Sequence, residues 1–265
     1  MSDFPKHDYH MHTKYLGCAN ATMEIPAIIE ECTRIGVTTL GITDHLNSFD
    51  KLPLHTPIKN DLLVSNSEID IYLGVELNFT GYDQDFAYNK ETKDELGFQF
   101  AIGGIHGTYV DTYNLDKIVE IQHRHHLATC ANPLVDVLVH PYWFGKGEFE
   151  KNGWPWFDSM LAVPASYARE LGKAAMESGT AIEINGCANL ENANYSERYV
   201  EEYIEYLAII AAEGALFSTG SDAHDVGRLR TVTAAWEVAK RIGLTAERMW
   251  HPKGTALNRQ TPSTP

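Results

Sequence analysis

The most constraining feature of this 265-residue chain is an alternation of short apolar segments with longer amphipathic ones. Apolar and β-branched residues form seven candidate strands, at about residues 6–9, 37–43, 69–77, 98–105, 135–139, 180–184 and 215–219. Between them, apolar residues recur at helical spacing over residues 25–35, 115–128, 165–178, 197–214 and 231–242. Such alternation predicts an α/β fold with a parallel sheet, either doubly wound or closed as a barrel. No change of composition marks a linker, so one domain is expected.

Ionisable residues follow every candidate strand at its carboxyl end. These residues are Asp8, His10, His12, Asp44, His45, Glu76, His106, His140, Glu183, Asp222 and His224. In parallel α/β folds the carboxyl ends of the strands meet at one face, where the active site lies. A lone His-x-His pair or a single strand-end carboxylate is weak evidence of a metal site, since such residues also occur in ordinary loops. Their joint placement predicts a site for several metal ions, because imidazole and carboxylate are common ligands.

In this order, the motifs resemble those of the polymerase-and-histidinol-phosphatase (PHP) superfamily of metal-dependent phosphoesterases. The resemblance extends from Asp8 to about Gly243. It implies a distorted seven-stranded (β/α)7 barrel of the TIM type, forming a single domain over residues 1–250. Residues 251–265 are polar and contain several prolines, so they are expected to form a loose tail.

The resemblance also implies two or three divalent ions at the carboxyl-terminal face of the barrel. The implied ligands are His10, His12 and Asp222 for the first metal, Glu76 as a bridge, His106 and His140 for the second metal, and His45, His224 and Cys18 for a third. Carboxylate and imidazole suit zinc, manganese or iron. Cys18 departs from the family pattern, which usually has histidine or aspartate there. A thiolate is an acceptable ligand that favours zinc over manganese, and the alternative is a packed thiol beside a weak or empty third site.

The implied reaction is in-line attack on a phosphate ester by a hydroxide that bridges two metal ions. Asp222 and His224 are the candidate catalytic residues beside the metals, with Asp222 expected to bind metal and to transfer a proton. Asp44 is expected to orient an imidazole through a hydrogen bond.

Three further residues are candidates for substrate binding. Arg228 and Arg230 follow the last strand and can bind phosphate, unless they are solvated or paired with acidic neighbours. Asn185 either orients the substrate or braces a turn. The aromatic segment 140–157 is either a lid or a cluster that covers the barrel rim. The remaining histidines are predicted to be ordinary surface or tail residues: His7, His55, His123, His125, His126 and His251.

The net charge of the chain restricts the class of substrate that it is expected to bind. The chain has 21 basic and 36 acidic residues, and its net charge of -15 disfavours binding to nucleic acid or anionic lipid. The four cysteines are widely spaced and no secretory signal is apparent, so a cytoplasmic location is expected. These features predict a histidinol-phosphatase-like or related phosphatase or phosphodiesterase that acts on a small phosphorylated metabolite. The alternatives are a nuclease-type PHP domain and a non-catalytic metal-binding module, and the oligomeric state is left open.

Overall fold

Seven parallel strands form one sheet in sequential order in the computed structural model, which describes residues 4–260. The strands are β1 (His7–Asp8), β2 (Thr39–Ile42), β3 (Asp70–Asn78), β4 (Phe100–Gly104), β5 (Val137–Leu138), β6 (Ala181–Asn185) and β7 (Phe217–Gly220). The sheet curls until its two edges meet, where Tyr9 N donates to Thr219 O (3.0 Å) and Thr219 Oγ1 donates to His7 O (2.7 Å). The predicted (β/α)7 barrel is confirmed. Because β1 and β5 are two residues long, the barrel is nearly closed but distorted.

Helices cover the outside of the barrel. They are α1 (Ile25–Ile35), α2 (Thr56–Val64), α3 (Lys90–Leu96), α4 (Leu115–Ala131), α5 (Lys146–Asn152), α6 (Ala165–Ser178), α7 (Glu197–Ala212) and α8 (Val232–Arg241). The five predicted helices are present, and α2, α3 and α5 are additional. None of the helices within residues 4–260 is long and apolar enough to cross a bilayer.

The interior of the barrel at the amino ends of its strands contains an aromatic ring. Phe100, at the start of β4, is fully buried, and a Cβ atom at Gly41 or Gly74 would lie 2.5 Å from its Cζ atom. Glycine on the two neighbouring strands therefore makes room for this ring. The packed interior supports the opposite end of the barrel, where the strands terminate.

Most of the histidines outside the strand ends are buried, which contradicts the expectation that they lie on the surface. The buried ones are His7, His55, His123, His125 and His126. In α4, His123 stacks on Tyr167 with 3.9 Å between ring centroids, and His126 meets the edge of the Tyr142 ring at 4.9 Å. Imidazoles thus pack as aromatic core residues between α4 and its neighbours, whereas His251 is exposed as expected.

The described part of the predicted tail packs against β3. Asn258 accepts from Ile71 N (3.0 Å) and donates to Ile69 O (2.9 Å), and Leu257 is buried. Residues 251–260 are thus attached to the barrel rather than loose. The rest of the predicted tail, 261–265, lies outside the described residues.

Candidate metal centre

Glu76, near the end of β3, lies at the centre of the imidazoles gathered at the carboxyl ends of the strands. Its Oε2 atom lies 3.4 Å from Nε2 of both His10 and His12. Its Oε1 atom lies 3.3 Å from Nε2 of both His106 and His140. Oε2 also lies 2.7 Å from His45 Nδ1, so the two oxygens of one carboxylate face separate sets of imidazoles, which is the arrangement a bridging carboxylate needs.

Asp222 adds a second carboxylate to the first pair. Its Oδ1 atom lies 3.3 Å from His12 Nε2 and 3.5 Å from His10 Nε2, and the two imidazole nitrogens are 3.2 Å apart. The backbone at Asp222 (φ 54°) and His140 (φ 27°) adopts left-handed conformations, which non-glycine residues rarely adopt. Such strain occurs preferentially at functional sites.

Electrostatics set the ionisation of this cluster. Burial opposes ionisation of Glu76, but His45 and His10 outweigh it and hold its pKa well below the usual value. Burial likewise opposes ionisation of Asp222, and His10 and His12 lower its pKa. Burial lowers the pKa of His12 to about 3, so its imidazole is neutral, which is the form that binds metal. Burial opposes protonation of His10, but Glu183, Asp222 and Glu76 outweigh it and raise its pKa, so a cation that binds this imidazole must displace a proton.

The spacing of the buried donor atoms tests whether metal ions fit here. Glu76 Oε2 lies 2.7 Å from His45 Nδ1 as well as 3.4 Å from both imidazoles of the His-x-His pair, so one carboxylate oxygen faces three ring nitrogens. Ligand atoms of His10, His12 and Asp222 lie within 4.8 Å of one another, and those of His10, Glu76 and His140 do so too. The donor set fits divalent cations such as zinc.

Glu183, in β6, bonds to two residues of the ligand cluster on the side away from Glu76. The sequence did not reveal this role. Its Oε1 atom lies 2.7 Å from His10 Nδ1, and its Oε2 accepts from the backbone N–H of His140 (2.8 Å). A Cβ atom at Gly220 would lie 2.3 Å from Glu183 Oε1 and 2.5 Å from His10 Cβ, so β7 requires glycine at this position. Only the placement of Glu183 at a strand end pointed to it.

The Asp44 carboxylate accepts from no imidazole among residues 4–260, contrary to expectation, and only the backbone oxygen of Asp44 lies near one, 3.4 Å from His55 Nε2. Its two carboxylate oxygens accept from the N–H and Oγ1 of Thr13, each at 2.9 Å. Burial raises the pKa of Asp44 to about 7, with the Thr13 hydrogen bonds acting in the opposite direction. The Asp44 carboxylate therefore links the loop after the His-x-His pair to the end of β2. Glu183 is the carboxylate that contacts a ligand imidazole.

The predicted third ligand group also comes together. Ligand atoms of Cys18, His12, His45 and His224 lie within 4.8 Å of one another, and Cys18 is exposed. The loss of solvent around its sulfur and the charge of Asp44 raise the pKa of the Cys18 thiol to about 11. The thiol is therefore protonated at neutral pH when no cation is bound.

Of the three candidate substrate-binding residues, Arg228 lines the cavity, whereas Arg230 and Asn185 do not. A cavity of about 540 Å³ opens over the cluster and is lined by Arg228, whose guanidinium donates to Glu191 O (2.8 Å). Arg230 instead pairs with the Glu191 carboxylate (3.4 Å), with its side chain 57% exposed and outside the cavity lining. Asn185 is fully buried and bonds to Glu183 and to the backbone N–H of Ala188. Asn185 therefore braces the turn after β6, and Arg228 faces the cavity.

The aromatic segment 140–157 packs as a cluster on the rim. Trp143 lines the cavity, and its ring centroid lies 5.3 Å from that of His140. The ring of Phe144 packs against those of Phe149, which lies in α5, and Phe157, which follows α5. Of this segment, His140 and Trp143 line the cavity.

Comparisons with known proteins agree with this architecture. The histidinol phosphate phosphatase of Lactococcus lactis subsp. lactis, solved with zinc, L-histidinol and phosphate, is 18% identical, with a TM-score of 0.66 over 91% of this chain and 95% of that one. A candidate histidinol phosphatase of Listeria monocytogenes is 14% identical, with a TM-score of 0.60 over 84% and 97%. At these identities the likeness shows the fold alone. No curated protein sequence matches the chain.

A sequence profile identifies the protein family, which the structural likeness alone does not show. The profile of the PHP domain matches residues 8–216, which is well over half of the chain and contains the His-x-His pair, Glu76, His106 and His140. Asp222 and His224 follow the matched region and join the same cluster in space. The protein is therefore a member of the PHP domain family.

Proposed function

We propose that this protein is a metal-dependent phosphoesterase that hydrolyses a small phosphorylated metabolite. The observation that carries the proposal is Glu76, whose two carboxylate oxygens face separate sets of imidazoles beneath an open cavity. Membership of the PHP family and the fold shared with histidinol phosphatases support the same reaction class.

In this proposal His10, His12 and Asp222 would hold one divalent cation and His106 and His140 would hold another, with Glu76 available to both. Zinc, manganese and iron all suit these ligands. When bound, such cations make water a stronger nucleophile at neutral pH and neutralise charge on the phosphoryl oxygens. Glu183 orients His10 so that its Nε2 atom points into the cluster.

Asp222 and Arg228 have the remaining roles. Asp222 Oδ2 accepts from Asn185 Nδ2 (3.3 Å), which fixes the carboxylate beside the cavity, where we propose that it also transfers a proton. His224 lines the cavity, with Nδ1 3.2 Å from the backbone oxygen of Asp222, and we propose that it assists catalysis from this position. The Arg228 guanidinium, held by a backbone carbonyl, is proposed to bind a phosphoryl oxygen.

A small substrate is favoured over a polymer. The net charge of -15 repels nucleic acid, and one arginine at the cavity does not provide the basic track that a long strand needs. The Lactococcus lactis structure carries L-histidinol and phosphate, so histidinol phosphate is the first compound to test.

The test is hydrolysis by protein that has been stripped with a chelator and reloaded separately with zinc, manganese or iron. The panel contains phosphomonoesters of small metabolites, a phosphodiester and single-stranded DNA. We expect release of phosphate from a monoester, and its loss in the variants His12→Ala and Asp222→Asn. Cleavage of DNA alone would indicate the nuclease-type alternative. Equal rates for both variants and the unaltered protein would indicate a non-catalytic metal-binding module.

A further inference from the structure

A second cavity opens between the segment that joins β3 to α3 and the carboxyl-terminal half of α4. Its volume is about 700 Å³, within the range of about 300–1,000 Å³ that is typical of small-molecule sites. Among residues 4–260, it has no lining residue in common with the cavity over the metal ligands. This α4 cavity, whose walls include Phe79, Tyr82, Arg124, His125 and Ala128, is therefore separate from the metal centre.

His125 presents a hydrogen-bond acceptor to the α4 cavity. Only 3% of this residue is exposed, and its Nδ1 atom donates to Ile121 O (2.8 Å). The hydrogen of the neutral imidazole is therefore on Nδ1, which leaves Nε2 as an acceptor. Nε2 has no hydrogen-bond partner among residues 4–260 and is not enclosed by them, so it faces the cavity that the ring lines. A ligand that donates a hydrogen bond is favoured here.

Aromatic rings surround this acceptor. The edge of the Phe79 ring meets His125 with 4.6 Å between centroids, and the Tyr82 ring does so at 6.3 Å. The Arg124 guanidinium stacks over Tyr82, 3.7 Å from the ring centroid, and pairs with Asp83 (3.5 Å). Flat rings and a stacked guanidinium are surfaces on which planar aromatic ligands pack.

The polar groups of the α4 cavity favour an uncharged ligand over an anion or a simple ammonium ion. Asp83 and Asp85 place two carboxylates in the lining against the one guanidinium of Arg124, so phosphate is repelled. The side-chain oxygens of Asn89 and Asn132 accept from backbone N–H groups (2.8 and 3.0 Å), which leaves their amide N–H groups to donate to a ligand. An ammonium ion has no acceptor for these donors.

We propose that the α4 cavity binds a planar, uncharged heteroaromatic compound, whose ring N–H donates to His125 Nε2 and whose carbonyl oxygen accepts from an amide of the lining. An oxopurine nucleoside has this chemistry, because its ring N–H and carbonyl groups are adjacent. The inference is independent of the proposed phosphoesterase activity, since the lining within residues 4–260 contains none of the proposed metal ligands.

The first test is calorimetric titration of the protein with inosine, with and without a chelator. We expect saturable binding with a dissociation constant below about 1 mM that the chelator does not change. Inosine methylated on the ring nitrogen should bind at least about tenfold more weakly, because it has no N–H for His125. Absence of inosine binding, its loss in chelator or equal affinity for the methylated compound would overturn the proposal. Binding of the cation benzamidine instead of inosine would overturn it too.

The second test locates the bound compound with variants. His125→Phe keeps an aromatic ring but removes Nε2, so the affinity for inosine should fall at least about tenfold. His123→Phe is the matched control, because His123 lies in the same helix and stacks on Tyr167. Ala128→Trp, at an exposed position in the lining, should abolish binding by filling the cavity. Circular dichroism checks that the variants fold, and unchanged affinity in either His125→Phe or Ala128→Trp would overturn the assignment.

Discussion

Nδ1 of His10 lies 2.7 Å from Oε1 of Glu183, so a buried carboxylate of β6 orients the first imidazole of the His-x-His pair. The same carboxylate accepts from the backbone N–H of His140, which lies on the other side of the cluster. Glu183 therefore connects the two imidazole pairs that face Glu76. A carboxylate that accepts from a ligand imidazole fixes the ring and raises the basicity of its other nitrogen.

Replacing Glu183 with Gln is expected to weaken zinc binding by about 10–100-fold, because the amide carries no charge to support the His10 imidazole. Competition with a chromogenic chelator measures the affinity. Glu170→Gln is the matched control, since Glu170 contacts an imidazole of α4, His123, at 3.0 Å and is remote from the cluster. Equal affinities for the two variants would contradict the role of Glu183.

Gly220→Ala is expected to disrupt the cluster, because its Cβ atom would overlap Glu183 Oε1 and His10 Cβ. We expect a loss of about 1–3 kcal/mol in the free energy of unfolding, together with weaker metal binding. Gly147→Ala is the control, since no atom lies within 4 Å of its added Cβ and α5 tolerates alanine. Urea unfolding of both variants measures the difference, and a stable Gly220→Ala that binds zinc normally would refute the packing argument.

The two arginines are expected to respond differently to substitution. Arg228→Gln removes the guanidinium that lines the cavity, so kcat/KM for a phosphomonoester should fall by about 10–100-fold, or about 1.4–3 kcal/mol. Arg230→Gln should leave kcat/KM unchanged, because that side chain is 57% exposed and pairs with Glu191. Steady-state kinetics on the first substrate identified decide between them. A larger effect at Arg230 would restore it as the phosphate-binding residue.

The strands and the long helices are predictable from the sequence because they depend on local patterns of apolar residues. The clustering of ligands is predictable because a general rule places the ends of parallel strands at one face. Apolar periodicity predicts β1 to β7, and the rule that parallel strands end at one face predicts that Glu76 and Asp222 lie close together, as they do on either side of His10 Nε2. Helix α3 was missed because its sequence KETKDEL has almost no apolar face, and its ends depend on the Asn89 cap and Gly97.

Contacts that depend on three-dimensional packing could not be predicted in this way. Asp44 and Glu183 both follow the pattern of a strand-end carboxylate, and only the tertiary structure shows that one bonds to Thr13 and the other to His10. The buried histidines of α4 were likewise misplaced, because an imidazole packs either as a polar surface residue or as an aromatic core residue.

His126 is expected to make the protein sensitive to acid. Burial, together with the neighbouring His123 and His125, lowers its pKa well below the usual value, and neither ring nitrogen has a hydrogen-bond partner among the described residues. The folded protein keeps this imidazole neutral, while the unfolded chain takes up a proton below about pH 6.5. The resulting stability is therefore present above pH 6.5 and is lost as the pH falls below it.

The variant His126→Leu removes this proton uptake and keeps an apolar side chain against Tyr142. In the presence of a chelator, the free energy of unfolding of the unaltered protein should fall by up to about 1.4 kcal/mol per pH unit more steeply than that of the variant between pH 6.5 and 5. At pH 8 the two should differ by about 1 kcal/mol or less. Urea unfolding at pH 8, 6.5 and 5 measures both slopes, and parallel slopes would mean that His126 takes up its proton in the folded protein over the same pH range as in the unfolded chain.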